Sequence, residues 1–292
     1  MIPGLGARKL RDLSAEDVDR WLAVKARSLS TRTLQGLHSC LNRSVKRAMA
    51  RDKVKRNVVE LCAVPAGRLG RPSKALTLVQ AEAVLKAAEG TSMYADIVVA
   101  LLTGARTEEL RALTWDHVFL SGRPEASPPQ PPHIAVWRSV RRGGDTKTRK
   151  SRRTLALPAR CVEVLWAQFE DQGWERLAAG VDWEENGLVF SSDVGEPLDA
   201  PNVRRAFRVA LKDAEGINAD DWTPRELRHS FVSLLSDSGV PLEEISRLVG
   251  HSGTAGTAVT AVTEEVYRKQ IRPVIQIGAV VMDGIFKRDP ER

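Results

Sequence analysis

The chain has 292 residues, 42% of them hydrophobic, and a formal net charge of +7. That length suits one large or two modest domains, and apolar runs such as Ile97–Leu102 are too short to cross a bilayer, so no membrane partner is expected. Cys40, Cys62 and Cys161 are scattered, with no CxxC pair, and Met1–Gly6 has no signal-peptide pattern; both point to a reduced, cytoplasmic protein without a disulfide frame or zinc site.

The charge is segregated. Residues 1–75 carry 17 Lys/Arg against 6 Asp/Glu, a surplus of 11 that leaves the remainder at −4. A basic stretch of this kind is the footprint of a phosphate-backbone partner. Ser14-Ala15-Glu16-Asp17 reads as an N-cap with acidic first-turn residues, followed by Val18, Trp21, Leu22 and Lys25 at helical spacing. A second helix starts near Thr31, with Leu34, Leu37, Leu41, Val45 and Ala48 as its apolar stripe. Arg43, Lys46, Arg47, Arg51 and Lys53 cover other faces and the exit, and are the candidate contacts to nucleic-acid phosphates.

Residues 63–76 are rich in Pro, Gly and cations and read as a linker. The expected division is therefore a basic helical domain over 1–62, the linker, and a larger domain over 77–292. Thr77-Leu78-Val79-Gln80 is a capping box that opens a helix burying Val84, Leu85 and Ala88. A second buried helix over Ile97–Leu102 ends at Thr103-Gly104. The period then changes. His133–Trp137 and Thr154–Leu157 read as strands, separated by the turn signal Arg141–Asp145 and a basic stretch through Arg153. Thr223-Pro224-Arg225-Glu226 combines an N-cap, Pro at N1 and an N3 glutamate, with Leu227, Phe231, Leu234 and Leu235 on one face. Pro241 opens another helix with Leu242, Ile245 and Leu248 inward. The apolar stretch Val274–Met282 packs either on a neighbouring copy or on its own domain. The fold class is mainly α with a small β-sheet.

Five polar residues are the parts needed to attack a phosphodiester with a phenolic oxygen. Guanidiniums suit the non-bridging oxygens of a phosphorane-like state, because they donate paired N–H groups and stay charged. Arg106, in a turn between two helices, and Arg228, in the first turns of another, are the candidates. Lys147, on the hairpin, is of a type able to supply a proton to the leaving 5′ oxygen, and it and its neighbours Arg149, Lys150, Arg152 and Arg153 are equally open to plain phosphate contact, so its assignment rests on the resemblance below. His251, after Gly250, is a hydrogen-bond donor or proton shuttle. Tyr267, one of two tyrosines with Tyr94, is the nucleophile. No Asp/Glu/His cluster has metal-ligand spacing, so a reaction without metal or other cofactor is expected.

In this order and at this spacing, the segments Thr103–Leu110, Thr146–Thr148, Thr223–His229, Leu248–His251 and Val266–Pro273 resemble the tyrosine recombinases of the phage-integrase family. The resemblance implies a partial SAM-like core-binding domain followed by a catalytic domain. It implies catalytic roles for Arg106, Lys147, Arg228, His251 and Tyr267, and a supporting, orienting role for Glu109. The expected activity is site-specific integration or excision of a mobile element through a 3′-phosphotyrosyl intermediate. The expected partners are double-stranded DNA attachment sites, a homotetramer assembled on that DNA, and an excisionase or host DNA-bending factor, with the protein on the nucleoid.

Four features depart from the family pattern. Arg225 stands where the family mostly has histidine; it can donate to a phosphate oxygen but cannot act as a base. Lys269 likewise replaces a common histidine. Residues 253–264 form four near-identical triplets, a tandem expansion between His251 and Tyr267. The chain also begins after the point where relatives carry a first core-binding helix, so an N-terminal truncation or an upstream start is expected. The alternatives are a catalytically impaired DNA-binding remnant and a type IB topoisomerase.

Overall fold

The computed structural model describes residues 2–69, 74–140, 152–250 and 276–286. The chain divides into two compact units, residues 1–72 and 73–292.

The first unit holds α1 (Ile2–Leu5), α2 (Ala15–Ala26), α3 (Thr31–Met49) and a 3-10 turn over Val58–Leu61. The capping signal at Ser14 is real. Its Oγ accepts from the Asp17 N–H at 3.2 Å, and Asp17 Oδ2 accepts from the Ser14 N–H at 3.2 Å. Val18, Trp21 and Leu22 of α2 pack with Leu34, Leu41 and Val45 of α3 and with Val58, Val59 and Cys62. Leu37 and Ala48 complete the stripe as half-buried residues. Arg43, Lys46, Arg47, Arg51 and Lys53 are all exposed. Lys46 is engaged, its Nζ lying 2.6 Å from Glu60. Residues 67 and 68 pack back on the start of α3. The Arg68 N–H donates to Leu29 O at 2.8 Å, and a Cβ on Gly67 would strike the Leu29 carbonyl, so only glycine fits there.

The second unit is mainly helical: α4 (Leu78–Ala88), α5 (Tyr94–Thr103), α6 (Thr107–Leu110), α7 (Ala159–Ala179), α8 (Ala200–Ala210), α9 (Pro224–Asp237), α10 (Leu242–Val249) and α11 (Ile277–Ile285). Its sheet is antiparallel, in the order β1 (Val118–Phe119), β2 (His133–Val136), β3 (Arg153–Ala156). The β2–β3 register pairs His133 with Ala156 and Val136 with Arg153. β1 is two residues long, too short to show the alternation by which strands are recognised in sequence.

α5 is the central rod. Residues Ala95–Thr103 are all buried, because α4, α7, α9 and α11 surround it. An element hydrophobic all round is the expected sequence of such a helix. Leu242 departs from expectation: it is 69% exposed, while Ile245, Leu248 and Val249 point inward. Pro241 is the N-cap, which puts Leu242 in the first turn. α11 packs on its own unit, with Gly278, Ala279 and Met282 buried and Asp283 Oδ1 accepting from the Ala159 N–H at 2.8 Å.

Candidate active site

Three chain segments meet at one point in the second unit. α5 ends at Gly104, whose φ of +64° is left-handed and whose α-carbon lies against the Phe231 ring; a side chain has neither the backbone conformation nor the room. That turn frees the Gly104 carbonyl and sets Arg106 as the extended N-cap of α6, with φ −77° and ψ 146°. Glu109, three residues on, closes the cap, its Oε2 accepting the Arg106 N–H at 2.8 Å. The same carboxylate holds the Arg106 side chain, Nη1 to Oε1 at 2.5 Å.

The second segment is the start of α9. Thr223 caps it with Glu226, whose Oε2 accepts the Thr223 N–H at 2.7 Å, and Pro224 occupies the first turn. Arg228 follows one turn in and is 8% exposed. A buried guanidinium needs acceptors for its N–H groups, and it finds backbone carbonyls. Nη1 donates to Gly104 O at 2.5 Å, and Nη2 donates to Val249 O. Val249 ends the third segment, α10, where last-turn carbonyls have no intrahelical donor. Arg106 Nη2 also reaches Val249 O, at 3.4 Å. The two arginines therefore converge on one oxygen at the dipole-negative end of a helix.

A fourth group was not legible as part of the site. Arg153 belongs to the basic stretch that reads as open to phosphate contact, but it is 5% exposed and forks onto Glu109, Nη1 to Oε1 at 3.2 Å and Nη2 to Oε2 at 2.9 Å. No local pattern announces it, because its partner lies on another element. Burial alone would raise the Glu109 carboxyl, yet Arg153 and then Arg106 outweigh it and hold the group down to about 2. Burial, then the neighbouring cations Arg153 and Arg106, push Arg228 down to about 9, which leaves it charged at neutral pH. The cluster thus sets three guanidiniums against one carboxylate. Arg106, with 20% of its side chain exposed, is its outlet to solvent. Among the described residues the cluster carries an excess of positive charge in a desolvated site, which favours an anion, and guanidinium forks match phosphate oxygens.

Glu109 holds Arg106 through its backbone N–H and its guanidinium, and Arg106 and Arg228 are brought together. Arg225 is exposed in the first turn of α9. His229 is half-buried, its imidazole held below the ordinary value first by burial and then by Arg225. Lys147, His251, Tyr267, Lys269 and the triplets at 253–264 lie outside the described residues. The described ends of the intervening chain are nonetheless informative. The Val140 N–H donates to Glu108 O at 3.1 Å and Arg153 forks onto Glu109, so residues 140 and 153 both contact α6. His251 directly follows Gly250, the left-handed cap of α10. Tyr94 is occupied elsewhere, its hydroxyl accepting from Arg160 Nη2 at 3.0 Å.

One further cationic surface was missed. α8, capped by Asp199, buries Val203, Phe207 and Ala210 and turns Arg204, Arg208 and the following Lys212 outward. With Arg205 they line a groove of about 830 Å³ that reaches Thr223, the cap of α9. The spacing of Arg204, Arg208 and Lys212, four residues apart between apolar positions, was the available signal.

Residues 74–260 match the sequence profile of the phage integrase family. An integrase of Streptomyces ambofaciens is 85% identical over 292 residues, which are 100% of this chain and 74% of that protein. A XerC-like tyrosine recombinase of Caldanaerobacter subterraneus is 26% identical over 187 residues, 58% of this chain and 45% of that protein. Among solved structures, the Tn1549 transposon integrase in complex with transposon right end DNA has a TM-score of 0.65 at 21% identity, covering 90% of this chain and 88% of that one. A lambda integrase dimer bound to a COC′ core site has a TM-score of 0.56 at 17% identity, covering 91% and 83%.

Proposed function

The chain belongs to the phage integrase family, and we propose that it carries out site-specific DNA recombination by tyrosine-mediated transesterification. The observation that carries this reading is the meeting of Arg106 and Arg228 on the Val249 carbonyl, with Glu109 fixing Arg106 from the other side. An in-line attack on phosphorus puts charge on the non-bridging oxygens, and preorganised cations aimed at that charge supply the largest share of such catalysis.

In this reading the Tyr267 phenolic oxygen attacks the scissile phosphorus. The phenol gives up its proton to His251 or solvent, a 3′-phosphotyrosyl bond forms as the P–O5′ bond breaks, and the 5′ oxygen leaves as a hydroxyl with a proton from Lys147. One phosphodiester replaces another, so no cofactor is needed to reseal the strand; the reverse attack by a 5′ hydroxyl does so. Arg106 and Arg228 hold the non-bridging oxygens. Arg225, near the N-terminus of α9, adds a donor, and His251 donates to the phosphate or exchanges a proton. The α8 groove and the cations Arg43, Lys46, Arg47, Arg51 and Lys53 grip flanking DNA backbone. Lys46 contributes least, since Glu60 already holds it. Two duplexes exchanging four strands require four active sites, hence a tetramer on DNA, with an excisionase or DNA-bending factor setting direction.

The test is a nicked duplex of the attachment site, whose cleavage releases a short fragment and traps the covalent complex. The expected result is a DNA adduct with the wild-type chain and none with Tyr267→Phe. DNA binding without an adduct would instead support the impaired remnant, and plasmid relaxation without any attachment site would support the topoisomerase reading.

A further inference from the structure

We propose that Arg153 is a positioning residue for strand transfer: it balances Glu109, so that this carboxylate orients Arg106 without neutralising it. The inference rests on the strand-transfer reading above and adds to it a third guanidinium with a different task.

Each Glu109 oxygen receives one bond from each arginine. Oε1 accepts Arg106 Nη1 at 2.5 Å and Arg153 Nη1 at 3.2 Å; Oε2 accepts the Arg106 backbone N–H at 2.8 Å and Arg153 Nη2 at 2.9 Å. With Arg106 alone, the carboxylate would form a one-to-one ion pair. A phosphate approaching Arg106 would then meet the repulsion of Glu109 almost as strongly as the attraction of the guanidinium. With Arg153 in place, the carboxylate is already matched, and the charge of Arg106 remains available to an incoming anion. Glu109 keeps its geometric function, because its hydrogen bonds to Arg106 persist.

Burial separates this task from direct contact. The Arg153 side chain is 4% exposed and that of Glu109 2%, against 20% for Arg106. Arg153 therefore acts through Glu109 and not on the substrate. Simple stabilisation is a poor explanation, since a buried ion pair is often matched by apolar residues of similar volume. The position of Arg153 at the first residue of β3, opposite Val136, also fixes the sheet to α6 and hence to the Arg106 turn.

The experiment compares wild type, R153K, R153M, E109Q and R153M/E109Q on the nicked duplex. It reads the single-turnover rate of covalent product at saturating DNA, DNA affinity and thermal unfolding. The expected result is a fall of about 100-fold in rate for R153M with affinity within about 3-fold of wild type. R153M/E109Q should regain about 10-fold or more over R153M, because the unbalanced carboxylate is gone. R153K, which keeps the charge but not the fork, should lie between R153M and wild type. A folded R153M as fast as wild type, or a double variant no faster than R153M, overturns the inference and leaves the recombinase reading intact. A wild-type chain that binds DNA and makes no covalent product overturns both. If R153M does not fold, R153K and R153K/E109Q decide, and equal loss in both overturns the proposal.

Discussion

Arg228 anchors itself to the Gly104 and Val249 carbonyls through two of its five N–H donors, and the proposed reading gives others to a phosphate. Lysine at this site could not fork between two carbonyls and an anion. Arg228→Lys is expected to lower the single-turnover cleavage rate by about 100-fold or more while DNA affinity, measured by gel shift, changes little. Asp96 presents the opposite situation. It lies buried in α5 at 3% exposure, and its Oδ1 has no hydrogen-bond partner among the described residues. Burial, only partly offset by Arg111, pushes its carboxyl up to about 7. The folded state thus holds a proton that the unfolded chain releases near 3.8, so this group's contribution to stability is full below about pH 4 and is lost as pH rises toward 7. Asp96→Asn should flatten the unfolding free energy across that window and stabilise the chain at pH 8 by about 2 kcal/mol, as read from urea melts at several pH values.

At the scale of elements, the caps position the chemistry. The Gly104 turn combines a left-handed φ with contact against Phe231 of α9, and its carbonyl anchors Arg228. Gly104→Ala is expected to cost about 2 kcal/mol or more in denaturant melts and to cut cleavage more than its stability loss alone explains. For α8, R204A/R208A should flatten the slope of log affinity against log salt by about 2, since each lost phosphate contact removes about 0.9. An unchanged slope would mean that this groove does not face DNA. Local signals were readable from sequence because their chemistry is local. Ser14, Thr77 and Thr223 each cap with a side chain three residues away, and the α3 and α9 stripes repeat at helical spacing. What was missed depends on partners distant in sequence or on too few residues. Arg153 is assigned to a buried fork only once β3 lies against α6. β1 has two residues, and Leu242 is exposed in the first turn of α10.

For the whole molecule, the proposed reading gives the charge surplus of residues 1–75 and the guanidinium cluster of the second unit separable tasks: one to hold duplex, the other to act on a phosphorus atom. Replacing Arg43, Arg47, Arg51 and Lys53 with alanine should weaken DNA binding steeply as salt rises, yet leave the single-turnover rate at saturating DNA within about 3-fold. The main fold was legible because caps, stripes and the switch to strand period agree with one another. The candidate site was readable as a set of residue types in order, while the contacts among Arg106, Glu109, Arg153 and Arg228 emerged only from their packing. In the proposed reading this cluster presents a phosphodiester to Tyr267. The most direct test is mass spectrometry of the covalent complex trapped on the nicked duplex. A single DNA-linked peptide containing Tyr267 is expected, absent with Tyr267→Phe and strongly reduced with Arg228→Lys. A wild-type chain that binds the duplex but yields no linked peptide, or an adduct that persists in Tyr267→Phe, would contradict that reading.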